Sequence, residues 1–184
     1  MEFRLLYEGP LQGQNARADH KREIRRYFHP QLKRLWTQPP LNESSDLLAF
    51  PAQPGKISVV EPRGSVQFVP LVTTKLDLYA ELNVLFLRPQ PRGQLITDRG
   101  DIDNRLKTLL DALRIPRTTQ ENPPTDASAS DENPLFCLLQ DDSLVTKVTV
   151  EADQLLDTTD PAHVKAIIQV VVKKTRLSWA NMVF

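Results

Sequence analysis

Several things are scarce in this 184-residue chain, and each scarcity excludes something. There is a single cysteine, Cys137, so no intrachain disulfide can form, and a reducing, cytoplasmic setting fits. Lys+Arg and Asp+Glu both number 23, so no global field draws the chain to nucleic acid or to a membrane surface; electrostatic binding has to come from local asymmetry. No apolar run approaches the ~20 residues needed to cross a bilayer. The start, Met1-Glu2-Phe3-Arg4, lacks the basic and apolar regions of a signal peptide. No Walker loop, dinucleotide glycine pattern or Gly-x-Ser-x-Gly elbow is present. His20 and His29 have no partner at metal spacing, so structural or surface roles are expected of them, and Cys137 in its apolar run reads as a buried inert thiol. Glycines are few, 6 against 15 prolines, and the prolines cluster so as to divide ordered from loop regions.

What remains is a chain of one domain, residues 1–184, 40% hydrophobic and 25% charged, long enough to bury a core. Residues 3–7 read as a short strand closed by Gly9-Pro10. Residues 15–36 read as a helix with Ile24, Phe28, Leu32 and Leu35 on one face and a break or kink at Pro30. Residues 37–64 form an irregular, proline-rich excursion with a strand expected at 57–60. Residues 67–72 suit an edge or bulged strand because of Pro70. Alternation over residues 76–87 is the strongest strand signal. Next comes a helix whose stripe is Leu106, Leu109, Leu110 and Leu113, with Asp103, Lys107, Asp111 and Arg114 on an adjoining face and Pro116 closing it. Residues 117–134 are low-complexity loop. Strands are expected at 135–139, 145–151 and 162–174, and residues 175–184 form a tail with Trp179 and Phe184 suited to docking or to swapping onto a partner. The order implies an α+β fold: a small mixed β-sheet with helices packed mainly on one face and two long loop insertions.

The chemistry-bearing stretch is Asp101-Ile102-Asp103-Asn104-Arg105-Leu106-Lys107. Mg²⁺ takes oxygen ligands and is commonly held by one or two carboxylates, with waters and phosphate filling the rest. Asp101 and Asp103 supply two, and Asp141-Asp142 in a later turn offers a third. Lys107, one helical turn beyond Asp103, suits a phosphate or a charged transition state. A plainer reading stands beside this one: Asp101 as an N-cap, Asp103–Lys107 as an i,i+4 pair, and Asp141-Asp142-Ser143 as a turn, in a protein that serves only as an interaction module. The first helix likewise has two readings. Arg22, Arg25, Arg26, Lys33 and Arg34, with Arg99 from the later loop, grip phosphates, or they are the solvated face of an amphipathic helix.

Taken together, Asp101-Ile102-Asp103-Asn104, Lys107, Asp111-Ala112-Leu113 and Asp141-Asp142-Ser143-Leu144-Val145 resemble the motif of the RusA-type Holliday junction resolvases. The resemblance spans about 45 residues, and the joint pattern is far more specific than any piece of it. It implies a RusA-like α+β homodimer with one Mg²⁺ site per subunit, where Mn²⁺ is a possible substitute. The implied activity is endonuclease cleavage of four-way or other branched DNA in recombination and repair. On that resemblance Asp101, Asp103 and Asp142 are the metal ligands, Lys107 is the essential cation, and Asn104, Asp111 and Asp141 are supporting residues. The alternative is a RusA-like protein that binds nucleic acid without cutting it. Residues 37–64 and 117–134 are longer than the family needs.

Overall fold

The computed structural model describes residues 1–13, 16–90, 102–121 and 132–184. The fold is α+β, with the strands divided between two mixed sheets. The larger sheet has four strands in the order β1 (Glu2–Pro10), β7 (His163–Lys174), β4 (Leu78–Arg88) and β6 (Val145–Gln154). β7 runs antiparallel to both β1 and β4, while β6 runs parallel to β4. The smaller sheet has the order β2 (Glu61–Arg63), β3 (Val66–Val72), β5 (Leu135–Leu139), with β3 and β5 parallel. Two helices, α1 (Ala18–Trp36) and α2 (Ile102–Leu113), pack against these strands and each other.

Period-two alternation builds the main sheet. Leu78, Ala80, Leu82, Val84 and Phe86 of β4 are buried, as are Val164, Ala166, Ile168, Val170 and Val172 of β7, and Leu5 and Tyr7 of β1. The apolar face of α1, with Ile24, Phe28, Leu32 and Trp36 buried, closes the core from the helix side. Tyr7 meets the edge of Tyr27 at 5.1 Å between ring centroids and packs on Phe28 at 5.9 Å.

Several expectations shift. Helix α1 runs unbroken through Pro30 to Trp36, as the expected end required, since its apolar face stays buried on both sides of the proline. The strand expected at 76–87 begins two residues later, because Asp77 adopts left-handed geometry (φ 53°) after a 3₁₀ turn at Thr74–Leu76. Within residues 37–64 the strand lies at Glu61–Arg63, not at 57–60, and two 3₁₀ turns occupy Leu41–Leu48. This stretch still contributes Leu41, Leu47, Val59 and Val60 to the core. Pro70 is tolerated inside β3 because β2 pairs only with Val66, Gln67 and Phe68, which leaves that side of Pro70 without a β2 partner. On α2 the buried stripe is Arg105, Thr108, Leu109, Ala112 and Leu113, rotated from the expected leucine row, so Leu106 and Leu110 are only half-buried.

The tail docks on its own chain. Phe184 lies 6.4 Å from Trp36 between ring centroids, and the Asn181 side chain, fully buried, donates to the carbonyls of Leu76 and Arg176, both at 2.9 Å. Trp179, by contrast, is 93% exposed. Asn181→Ala, which strands the buried Leu76 carbonyl and removes the donor to the partly buried Arg176 carbonyl, is therefore expected to cost about 1–3 kcal/mol. Trp179→Ala should stay within about 0.5 kcal/mol of wild type. Urea unfolding of the two variants reads the difference, and equal effects would contradict this docking.

Candidate functional site

The expected site residues fall into two groups at opposite ends of α2. Asp103 and Lys107 are exposed on its first two turns, with Asn104 half-buried between them. Their helix positions follow from packing: Arg105, Thr108 and Leu109 take the inward face, so residues 103 and 107 are left outward. Asp101 and Arg99 lie outside the described residues.

The second group gathers where α2 ends. The Arg114 N–H still bonds the Leu110 carbonyl (3.2 Å), and the next N–H, of Ile115, donates to Leu139 at the end of β5 (2.9 Å). This ties the helix end to the turn that carries Asp141 and Asp142. The Arg114 guanidinium is the hub. It donates to Asp111 Oδ1 from Nη2 (3.1 Å) and Nε (3.3 Å), and from Nη1 to Glu121 Oε2 (3.0 Å) and the Ile115 carbonyl (2.9 Å). Its Nε also lies 3.9 Å from Asp142 Oδ2. Lys21 of α1 reaches Asp111 Oδ2 at 2.6 Å. Arg117 donates from Nη2 to Asp142 Oδ1 (2.7 Å) and from Nε to Asp141 Oδ2 (3.3 Å).

Arg25 completes the cluster from below. It is 2% exposed and donates from Nε to the Arg114 carbonyl (3.1 Å) and from Nη2 to the Asp111 carbonyl (3.0 Å). Those are end-of-helix carbonyls, where a cation meets the negative end of the dipole. The structure thus moves Arg25 off the expected phosphate-gripping face, and Arg22 with it, since both are buried. Burial pushes the Arg25 guanidinium below its ordinary value. Arg26 pairs with Glu132, Lys33 is half-buried and Arg34 is exposed. His29 is structural, its Nδ1 accepting from the Phe136 N–H (3.0 Å). The buried Cys137 thiol is pushed up to about 12 by desolvation, too high for a nucleophile at neutral pH.

Asp111 and Asp142 therefore flank one guanidinium, while Asp103 stands at the other end of the helix. Eleven positions at ~1.5 Å each separate Asp103 from Arg114 by roughly 16 Å of backbone. Among the described residues no group of three His, Cys, Asp or Glu converges to hold a metal. The donor chemistry agrees: a cation beside Asp142 would sit against both Arg117 and Arg114. Asp103, outward at the head of α2, is a carboxylate of the kind Mg²⁺ takes. Asp142, paired with Arg117 and Arg114, stands at the far end of the helix from it.

Arg114, Arg117, Glu121 and Lys21 escaped sequence reasoning as site residues. The i,i+3 spacing of Asp111 and Arg114 was one available signal. The Arg117–Asp142 contact, 25 positions apart, had none.

Compared with models of known protein families, with curated proteins and with solved structures, the chain matches none. Among the described residues no helix is long and apolar enough to cross a membrane.

The electrostatics of the cluster set a pH dependence. Asp141 is held down at about 2, against an ordinary 3.8, by hydrogen bonds from Ser143, with Arg117 adding to the effect. At Asp111 burial acts upward, but the Lys21 hydrogen bond and the Lys21 and Arg114 charges outweigh it and hold the carboxyl below its ordinary value. Groups depressed on folding give stability that is present above their unfolded value and lost as pH falls through the folded one. Stability is expected to decline on acidification from about 3.8 through about 2, and Asp141→Asn should flatten that decline. Chemical denaturation across this range measures it; an unchanged slope in the variant would contradict the assignment.

Proposed function

We propose that the protein is a divalent-metal-dependent endonuclease acting on branched DNA, four-way junctions included, in the manner of RusA-type resolvases. The observation that carries the reading is the joint motif Asp-x-Asp-Asn, Lys107, Asp111-Ala112-Leu113 and Asp141-Asp142-x-x-Val. Its support in the fold is that α2 leaves Asp103 and Lys107 on its solvent face, one turn apart, while neighbouring positions are used in packing.

Asp103 with Asp101 would hold Mg²⁺, or Mn²⁺ in its place. Bound there, the ion supplies polarisation of a phosphodiester and activation of the attacking water. Lys107 is within one turn of that point and its ammonium holds the scissile phosphate or offsets charge gained during displacement. Asp142 and Asp141 act at a distance in this reading: both pair with Arg117, and Asp142, with Asp111, also flanks Arg114 at the far end of α2. Arg26, Lys33 and Arg34 supply sequence-independent contacts to DNA backbone.

One observation favours a second reading, a protein that binds branched DNA without cutting it: Asp142, a ligand in the family pattern, is paired with Arg117 and Arg114. Cleavage of a synthetic four-way junction separates the two. The nuclease reading expects nicks with Mg²⁺ or Mn²⁺, lost by about 100-fold or more in Asp103→Asn as binding persists. Cleavage that survives the substitution would rule out this site. Salt-dependent junction binding in EDTA, with no nicking in either metal, would leave the binding reading. Arg34→Ala should lower the slope of log affinity against log salt by about 1.

A further inference from the structure

The tail fixes its backbone and leaves its largest side chain in water. The Ser178 N–H donates to Asn181 Oδ1 (2.9 Å), the Asn181 N–H to the Ser178 carbonyl (3.2 Å), and the Phe184 N–H to the Asn181 carbonyl (3.2 Å). With the Asn181 amide bound to Leu76 and Arg176, the turn that carries Trp179 is anchored on both sides. The indole is nevertheless almost wholly exposed, and Leu177 (74%) and Met182 (55%) are exposed beside it. Large apolar side chains gathered at one surface point mark an interaction site.

Trp179 also lines a cleft of about 350 Å³, whose other walls come from the 3₁₀ run Leu41–Leu48 and from the turn that ends at Ile57. The Val59 N–H donates to the Leu47 carbonyl (2.9 Å) and ties those two walls together. The charged groups of the lining are Glu43, Asp46 and Lys56. Lys56 pairs with Asp46 at 3.0 Å, so these two cancel. Glu43 is exposed and has no ion pair or side-chain hydrogen bond among the described residues. The cleft thus keeps one uncompensated carboxylate in company with an indole. Lys174 and Arg176 flank the turn but are engaged by the Met182 carbonyl (3.2 Å) and by Asp77 (2.8 Å).

We propose that this cleft docks an extended segment of a partner protein that carries an arginine between apolar residues. The guanidinium stacks on the Trp179 ring and pairs with Glu43, while the flanking apolar side chains cover Leu177, Met182 and Ile57. An aromatic face attracts a cation through its quadrupole, and a guanidinium adds a planar stack and a fork that matches a carboxylate. A tryptophan on an anchored turn loses little freedom on binding, which suits it to be the centre of an interface. The charge of the cleft disfavours a nucleic acid. An unpaired base can stack on an indole, but its phosphates would meet Glu43 and Asp46. This surface is separate from the chemistry proposed at α2, and its readout does not involve cleavage.

The test is a titration of the full chain followed by ¹H–¹⁵N NMR. Two tryptophans give two indole N–H signals, and the buried Trp36 serves as the internal reference. The probe is the peptide Ac-Leu-Arg-Leu-NH₂, with citrulline in place of arginine as its uncharged counterpart. The arginine peptide should shift the Trp179 signal saturably and leave Trp36 still. The citrulline peptide should bind about 5-fold or more weakly. Glu43→Gln should weaken the arginine peptide by about 3-fold or more. Trp179→Ala, read at the Ile57 amide, should weaken it by about 5-fold or more. No saturable shift, equal affinity for the citrulline peptide, or indifference to either substitution overturns the proposal. A short oligothymidylate that shifts Trp179 more tightly than the peptide overturns it in favour of nucleic acid. A Trp179 shift with protein concentration alone overturns it in favour of a second copy of the chain.

Discussion

A buried guanidinium next to the end of a helix is the constraint on which much of this molecule turns. Arg25 reaches from α1 into the core and satisfies two carbonyls at the end of α2, where helical hydrogen bonding runs out. That contact fixes the angle between the helices. It also fixes Arg114, whose own guanidinium then gathers Asp111, Glu121 and Asp142. With Lys21, Arg117 and Asp141 added, Arg25, Arg114, Lys21 and Arg117 stand against Asp111, Glu121, Asp141 and Asp142, so the cluster is neutral though Arg25, Arg114 and Asp111 are buried. Such networks are high in stakes: complete they specify one arrangement, and breaking one partner strands the others. One Arg25 nitrogen, Nη1, is buried without a hydrogen-bond partner among the described residues, a cost the packing of the two helices has to offset.

The same constraint separates structure from chemistry along α2. Its C-terminal half is tied to α1, β5 and the turn after it, whereas its first turns carry polar side chains that the core does not use. Rigid support at one end and unspent functional groups at the other is the arrangement that holds a reactive side chain in register without engaging it. The proposed activity draws on that division, for it asks Asp103 and Lys107 to act from a helix whose position is set elsewhere.

The fold was legible wherever one period dominated. The alternation of β4 and β7 reads directly as buried and exposed faces, and α2 was found within a residue or two because leucine spacing repeats. Boundaries slipped where a single backbone angle decided, as at Asp77. The α2 stripe was misjudged because Arg105 and Thr108 are buried there, and no hydrophobicity pattern ranks an arginine as an inward residue. The basic face of α1 was read as uniform, yet Arg25 points into the core and Arg34 does not; only the position of α2, distant in sequence, makes the distinction. The pairing of Asp142 with Arg117 was illegible for the same reason, since it depends on β5 ending beside α2. The motif itself was visible as a pattern of residue types, and the distance between its two halves was not.

The Gln31 amide at Leu6 sets a limit on growth. A sheet with two open edges can add copies without end, as fibrils do. Here the β1 edge is interrupted by a side chain of the same molecule: Gln31 occupies both main-chain groups of Leu6 that an added strand would need, so growth of the sheet on that side is obstructed where the strand is otherwise open.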